Sequence, residues 1–217
     1  MTTRSAVPKT SGGTYIAGWK TVEDWRTFRT RLVAGSAPEV WETAFTEYFH
    51  ERLALRYLEP ISVLQHNGTF QGEGFSIVAI QCSLIEFLES TVQGLSYQHR
   101  RKNDPPLGQH QYSDSGDIFV QFLSNRPPFA AVFDRVTARD FYVSVRCGLL
   151  HEARTKNGWT IWAKSPVGTV ADTLAKVLYR NEFQVGILRF IEWYRSVLCS
   201  EVTVQEAFIR KFDSLCD

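Results

Sequence analysis

The sequence predicts an all-α protein, a bundle of about five to seven helices with a small β-hairpin inserted after the helix that carries the main motif. Three observations predict it. Apolar residues recur at three- and four-residue spacing along most of the chain, helix-start signatures precede several of these stretches, and strand-like alternation is confined to about residues 159–180. With 44% hydrophobic and 13% aromatic residues in a length of 217, the chain can bury a sizeable core. That length suits one domain. Residues 1–35 read as a leader with a short packing helix, and residues 36–217 as the helical domain proper.

Residues 1–14 are polar and rich in Gly, Ser and Thr, so a mobile leader is expected. Thr21 can cap a helix in which Trp25, Phe28 and Leu32 share one face, while Arg26, Arg29 and Arg31 point to solvent. A second start reads Ser36-Ala-Pro38-Glu39, with Ser36 as cap, Pro38 in the first turn and Glu39 closing a capping box. Trp41, Phe45, Tyr48, Arg52 and Leu55 follow at helical spacing, and Pro60 is expected to kink or end this helix.

From Gly72 to about Gly94 apolar groups lie around most of the circumference: Phe75, Ile77, Val78, Ile80, Leu84, Ile85, Phe87 and Leu88. A helix of that kind is the enclosed, central member of a bundle. Glu86 and Glu89 are its acids beyond the first turn. A buried Glu86 needs a partner, for which Arg146 is one option, and solvent exposure is the other. Residues 96–116 form a polar, turn-rich loop in which Arg100, Arg101 and Lys102 follow His99. Such a loop either keeps the surface wet or grips a phosphate backbone.

A short helix from Asp117 to about Asn125 is stopped by Arg126-Pro127-Pro128. A long helix is then expected from about Phe129 to Arg154, with Lys156-Asn157-Gly158 closing it. Trp159 to Trp162 alternates like a strand, and Val177 to Tyr179 is its candidate partner in a hairpin. The tryptophans either pack on the body or stack on a base. Phe183, Ile187, Phe190, Ile191 and Tyr194 then make one stripe, and Thr203 to Glu206 carries another capping-box signature.

The chemistry concentrates in the long helix. Phe141, Val145 and Leu149 form an apolar row, leaving Arg146 and His151 off it. Five residues turn a helix by about 500°, or about 140° net, so the two do not stack on one stripe. A long guanidinium stem still lets both border one concave site, and Cys147 and Gly148 are small residues that leave room beside the imidazole. An acid/base beside a permanent cation suits phosphodiester cleavage. A surface Arg and a hydrogen-bonded His is the plainer reading.

The segment Arg146-x4-His151, late in an all-helical pattern and before a Trp-rich stretch, resembles the Arg-x(4–6)-His motif of the HEPN superfamily (higher eukaryotes and prokaryotes nucleotide-binding domain). The resemblance spans residues 36–217, and Arg146 and His151 carry over residue by residue. It implies a dimeric helical bundle and a metal-independent endoribonuclease in antiviral defence or a toxin–antitoxin pair. In it Arg146 and His151 of both chains build one centre, under control of a regulatory protein partner. Cys147 departs from the family, many active members of which carry a polar residue directly after the Arg. The family also includes non-catalytic RNA- or nucleotide-binding and interaction modules, and Cys147 keeps that alternative open. Arg100, Arg101, Lys102 and Arg154 are the candidate RNA contacts, with Glu86 and Cys147 as candidate supports.

The remaining features bound these readings. A net charge of +1 gives no overall nucleic-acid signature, so any RNA site must be a local patch. Cys82, Cys147, Cys199 and Cys216 are scattered without zinc-ligand spacing, so neither metal nor cofactor is expected. Phosphate-binding glycine loops, H-E-x-x-H and G-x-S-x-G are absent from the sequence. The N-terminal residues do not read as a signal peptide, and the most apolar run, Gly74 to Leu88, falls short of the roughly 20 residues that span a bilayer. A cytoplasmic protein with no membrane partner is expected.

Overall fold

The computed structural model describes residues 13–68 and 72–217, which are mostly helical. The expected leader therefore lies largely outside the described residues. The chain enters through strands β1 (Tyr15–Ala17) and β2 (Lys20–Thr21), an antiparallel pair that the sequence did not announce. Thr21 then caps helix α1 (Val22–Arg29) in a capping box with Asp24. Trp25 and Phe28 are buried, and the indole of Trp25 donates to Asp213 at 2.9 Å. Arg29 pairs with the same carboxylate at 3.1 Å, so it fastens α1 to the body where a solvated side chain was expected.

Residues 38–67 form one helical run with two wide turns in it. Its pieces are α2 (Pro38–Ala44), a π-turn (Phe45–His50), α3 (Glu51–Leu53), a second π-turn (Ala54–Leu58) and α4 (Glu59–Asn67). Pro60 does not end the run. The π-turn just before it opens the hydrogen-bond ladder at the point where a proline ring crowds the preceding turn. Ser36 does not cap α2 either, because its hydroxyl turns back to the Val33 carbonyl and Ala37 holds the cap position.

Helix α5 (Glu73–Gln93) is the central element, packed against α4, then α6 (Ser115–Asn125), α9 (Arg180–Ser200) and α10 (Val202–Ser214). It is long and apolar enough to cross a bilayer, yet 56% of its most apolar window is buried in the protein, as befits a core helix. Its C-terminus turns at Gly94, with φ of 67°, where a Cβ would meet the backbone of Ala207 at 2.7 Å. Glycine therefore serves both the left-handed cap and the close approach of α10. Thr203 supplies no cap to α10, which begins at Val202 with Glu201 before it.

The loop after α5 is pinned at its ends by a short parallel pair, β3 (Ser96–Tyr97) with β4 (Gln111–Tyr112). Asp114 caps α6 through the amides of Gly116 and Asp117. Beyond the two prolines the expected long helix is shorter than its pattern. A 3₁₀ turn (Phe129–Ala131) comes first, and Asp134 opens α7 (Arg135–Phe141) in a capping box with Thr137. A π-turn (Tyr142–Arg146) and α8 (Cys147–Glu152) continue it. It closes at Ala153, in the left-handed conformation, before reaching Lys156 or Gly158.

The β insertion is a three-stranded sheet in the order β5 (Thr160–Trp162), β7 (Val177–Tyr179), β6 (Ala171–Asp172). β5 does pair with β7, but in parallel, and the hairpin is β6–β7. Parallel pairing needs a long connection, which residues 163–176 supply. Trp159 is buried edge-on against Phe141 at 5.2 Å, whereas Trp162 is exposed.

Candidate functional site

The π-turn at Tyr142–Arg146 sits immediately before the motif, and an extra residue in a helical turn is a device often found at functional sites. Phe141 and Val145 point into the core and Leu149 is half-buried, so the apolar row holds. The chain after Ala153 folds back along this helix. Lys156 donates its amide to the Ser144 carbonyl at 2.8 Å, and Gly148 is where the strands of backbone touch. A Cβ at Gly148 would lie 2.5 Å from the Arg154 carbonyl oxygen. Gly148 therefore admits the returning chain, which takes up the space that its missing side chain leaves.

Asp140 organises that return. Its carboxylate accepts from Ser144 at 3.0 Å and from the Trp159 indole at 2.9 Å, and Lys176 pairs with it at 3.2 Å. Burial pushes its carboxyl up, but the three donors outweigh that and hold it below the usual range. This network positions α8 and was not singled out by the sequence.

Arg146 is half-buried. Its guanidinium lies over the Tyr142 ring at 5.5 Å and faces Glu86 of α5 at 3.9 Å. Glu86 accepts hydrogen bonds from the Tyr112 hydroxyl (3.0 Å) and the Ser115 hydroxyl (2.8 Å). Of the two options left open for Glu86, the structure places it beside Arg146, with its side chain 23% exposed. Burial, followed by the neighbouring Glu86 charge, drives the Tyr112 phenol up, which keeps it a donor. Arg146 also lines a small notch of about 60 Å³ with Ala79, Cys82, Ser83, Leu149 and Leu150.

His151 lies one turn beyond Arg146, on the exposed side of α8. Among the described residues no hydrogen bond, ion pair or ring contact holds its imidazole. The two motif residues therefore share a helix end but no common partner within one chain. Cys147 is half-buried at the start of α8. Cys82 is buried, and its thiol is pushed up to about 12 by that burial, against the opposing effect of Arg146.

The loop cations Arg100, Arg101 and Lys102 are all exposed. Tyr112, at the loop's far end, links that loop to Glu86 and so to Arg146. Arg154 is exposed and paired with Glu152 at 3.0 Å. Tyr112, Ser115 and Tyr142 are members of the site that the sequence did not single out. A tyrosine in a polar loop or on an apolar helix gives no local signal of a partner elsewhere in the chain.

Larger clefts lie elsewhere. One of about 230 Å³ includes Glu73, Phe75, Ile161 and Arg180, one of about 270 Å³ includes Lys20, Arg31 and Tyr48, and one of about 320 Å³ includes Val132, Glu182 and Arg189. None of these three is lined by a histidine or a cysteine. No family model, curated protein or solved structure matches the chain.

Proposed function

We propose that the protein is a HEPN-like, metal-independent endoribonuclease that acts as a homodimer in the cytoplasm. The observation that carries this reading is Arg146, a permanent cation held half-buried by Glu86 and Tyr142 beside a notch, with the exposed His151 on the next turn. Arg146 stabilises the negative charge that gathers on phosphorus in the transition state. His151 transfers a proton to or from the ribose or the leaving oxygen. Arg100, Arg101, Lys102 and Arg154 contact the RNA backbone. An antiviral or toxin–antitoxin setting, with a regulatory protein that restrains the enzyme, follows from the same resemblance.

Dimerisation is supported by the surface around the notch. Leu150 at its rim is an exposed apolar side chain beside the small Ala79 and Ser83, and Phe75 and Val143 on the same two helical runs are exposed as well. A second copy of the chain covering this face brings two motif helices together and supplies the neighbour that His151 lacks. The rival reading is a non-catalytic RNA-binding or interaction module. It is favoured by Cys147, which stands where many active members of the family carry a polar residue, and by the unanchored imidazole.

Cleavage of intact RNA by purified protein in excess EDTA separates the two. Activity is expected for the wild type, with losses of about 10²–10⁴-fold in His151→Ala and about 10²–10³-fold in Arg146→Ala. The double variant should fall little below the poorer single one, because the pair acts as a unit. Full activity in His151→Ala removes the catalytic assignment and leaves the binding module.

A further inference from the structure

The geometry points to Glu86 as the general base of this site, taking the proton from the attacking ribose 2′-hydroxyl, an assignment that rests on the ribonuclease reading above. Its two oxygens are in different situations. Oε1 is fixed by the Tyr112 and Ser115 hydroxyls at 3.0 and 2.8 Å. Oε2 faces Arg146 at 3.9 Å, beyond hydrogen-bond distance, and keeps its lone pairs for another donor.

Glu89, one turn further along the same helix, shows what a purely structural carboxylate looks like here. It is 1% exposed, accepts twice from Arg126 at 2.8 Å, and accepts again from Gln93 at 2.5 Å. Both oxygens of Glu89 are occupied, Oε1 twice and Oε2 once. Glu86 is oriented on one side, open on the other and next to the cation, which is the arrangement a base needs.

The groups around Glu86 come from four elements. Tyr112 of β4, Ser115 of α6 and Arg146 of the π-turn lie against it, and its charge also acts on Tyr142 of the π-turn and favours the charged form of Lys211 of α10. The phosphate of a bound RNA sits on Arg146. Glu86 Oε2 accepts the 2′-hydroxyl proton as that oxygen bonds to phosphorus. The bond from phosphorus to O5′ breaks, and a His151 imidazolium gives its proton to O5′. The products are a 2′,3′-cyclic phosphate and a free 5′-hydroxyl, and no other reactant is consumed. His151 is thereby assigned the acid role.

The test is the pH dependence of kcat/KM in wild type, Glu86→Gln, Glu86→Asp and His151→Ala. Gln keeps an oxygen for Tyr112 and Ser115, so the variant folds, as a melting curve verifies. The wild type should show two limbs, a rising one set by the base and a falling one set by the acid. Glu86→Gln should lose about 10²–10³-fold and the rising limb, while Glu86→Asp keeps that limb at a lower rate. With a uridine 3′-phosphate ester of p-nitrophenol, which leaves without a proton, His151→Ala should recover and Glu86→Gln should not. A near-wild-type rate or an intact rising limb in Glu86→Gln overturns the assignment. If Arg146→Ala and His151→Ala are then still inactive, the ribonuclease reading survives without it. No cleavage by the wild type ends both.

Discussion

The hydroxyl of Tyr112 donates to Glu86 across 26 residues of sequence, at 3.0 Å, on the carboxylate that also faces Arg146. One end of the cationic loop is thus fastened to the side chain that holds the site's permanent cation. The loop's other end is held by its own short pairing, Ser96 with Gln111 and Tyr97 with Tyr112.

Tyr112→Phe should release that fastening without leaving a cavity. The loss of one hydrogen bond to a carboxylate is expected to cost about 1.5–3 kcal/mol at most, and less where water replaces the hydroxyl. Urea unfolding measures the cost, and amide exchange over residues 96–112 should rise selectively. An unchanged exchange pattern would show that the β3–β4 pairing alone positions the loop.

Gly148→Ala tests whether glycine is required for the returning chain. Alanine is the better helix former by about 1 kcal/mol. Its Cβ, however, meets the Arg154 carbonyl oxygen at 2.5 Å, a contact with backbone that no side-chain rotation relieves. A net destabilisation of about 1–3 kcal/mol is expected. Stability equal to or above wild type would mean that residues 153–156 move aside freely.

Lys211 supplies a pH signature. It is buried at 5% exposure, donates to the Leu95 carbonyl at 2.9 Å and lies over the Phe87 ring. Burial pushes its ammonium down to about 8, and the nearby Arg52 adds to the effect. The unfolded chain holds that proton up to about pH 10.4, so the folded state binds fewer protons between about 8 and 10.4. Stability linked to Lys211 therefore rises with pH across that window, by up to about 3 kcal/mol. Thiols and phenols titrate there too, but they cancel against a Lys211→Met variant. Wild type should gain on Lys211→Met as pH rises from about 8 to 10.4, read by urea unfolding. A constant difference between the two would show that Lys211 ionises as it does in water.

The sequence by itself determined the helical class, because periodicity at three and four residues is a local property that needs no partner. It also determined the enclosed character of α5, the cap at Thr21 and the apolar row of Phe141, Val145 and Leu149. It placed Arg146 and His151 on one helix, off that row. Tertiary structure decided where the periodicity slips. The π-turns at Phe45–His50, Ala54–Leu58 and Tyr142–Arg146 each change the phase of a helix, and hydrophobic spacing tolerates such a shift without recording it. Ser36 and Thr203 fit the cap pattern but do not cap, since a short hydroxyl side chain takes whichever partner the local backbone brings nearest. The site followed the same division. Glu86 reads alike whether it meets solvent or Arg146, because its partners Tyr112, Ser115 and Arg146 arrive from α6, the loop before it and the motif helix. Only packing of those elements on α5 fixes which carboxylate meets a cation at 3.9 Å and which, like Glu89, is clamped by an arginine at 2.8 Å.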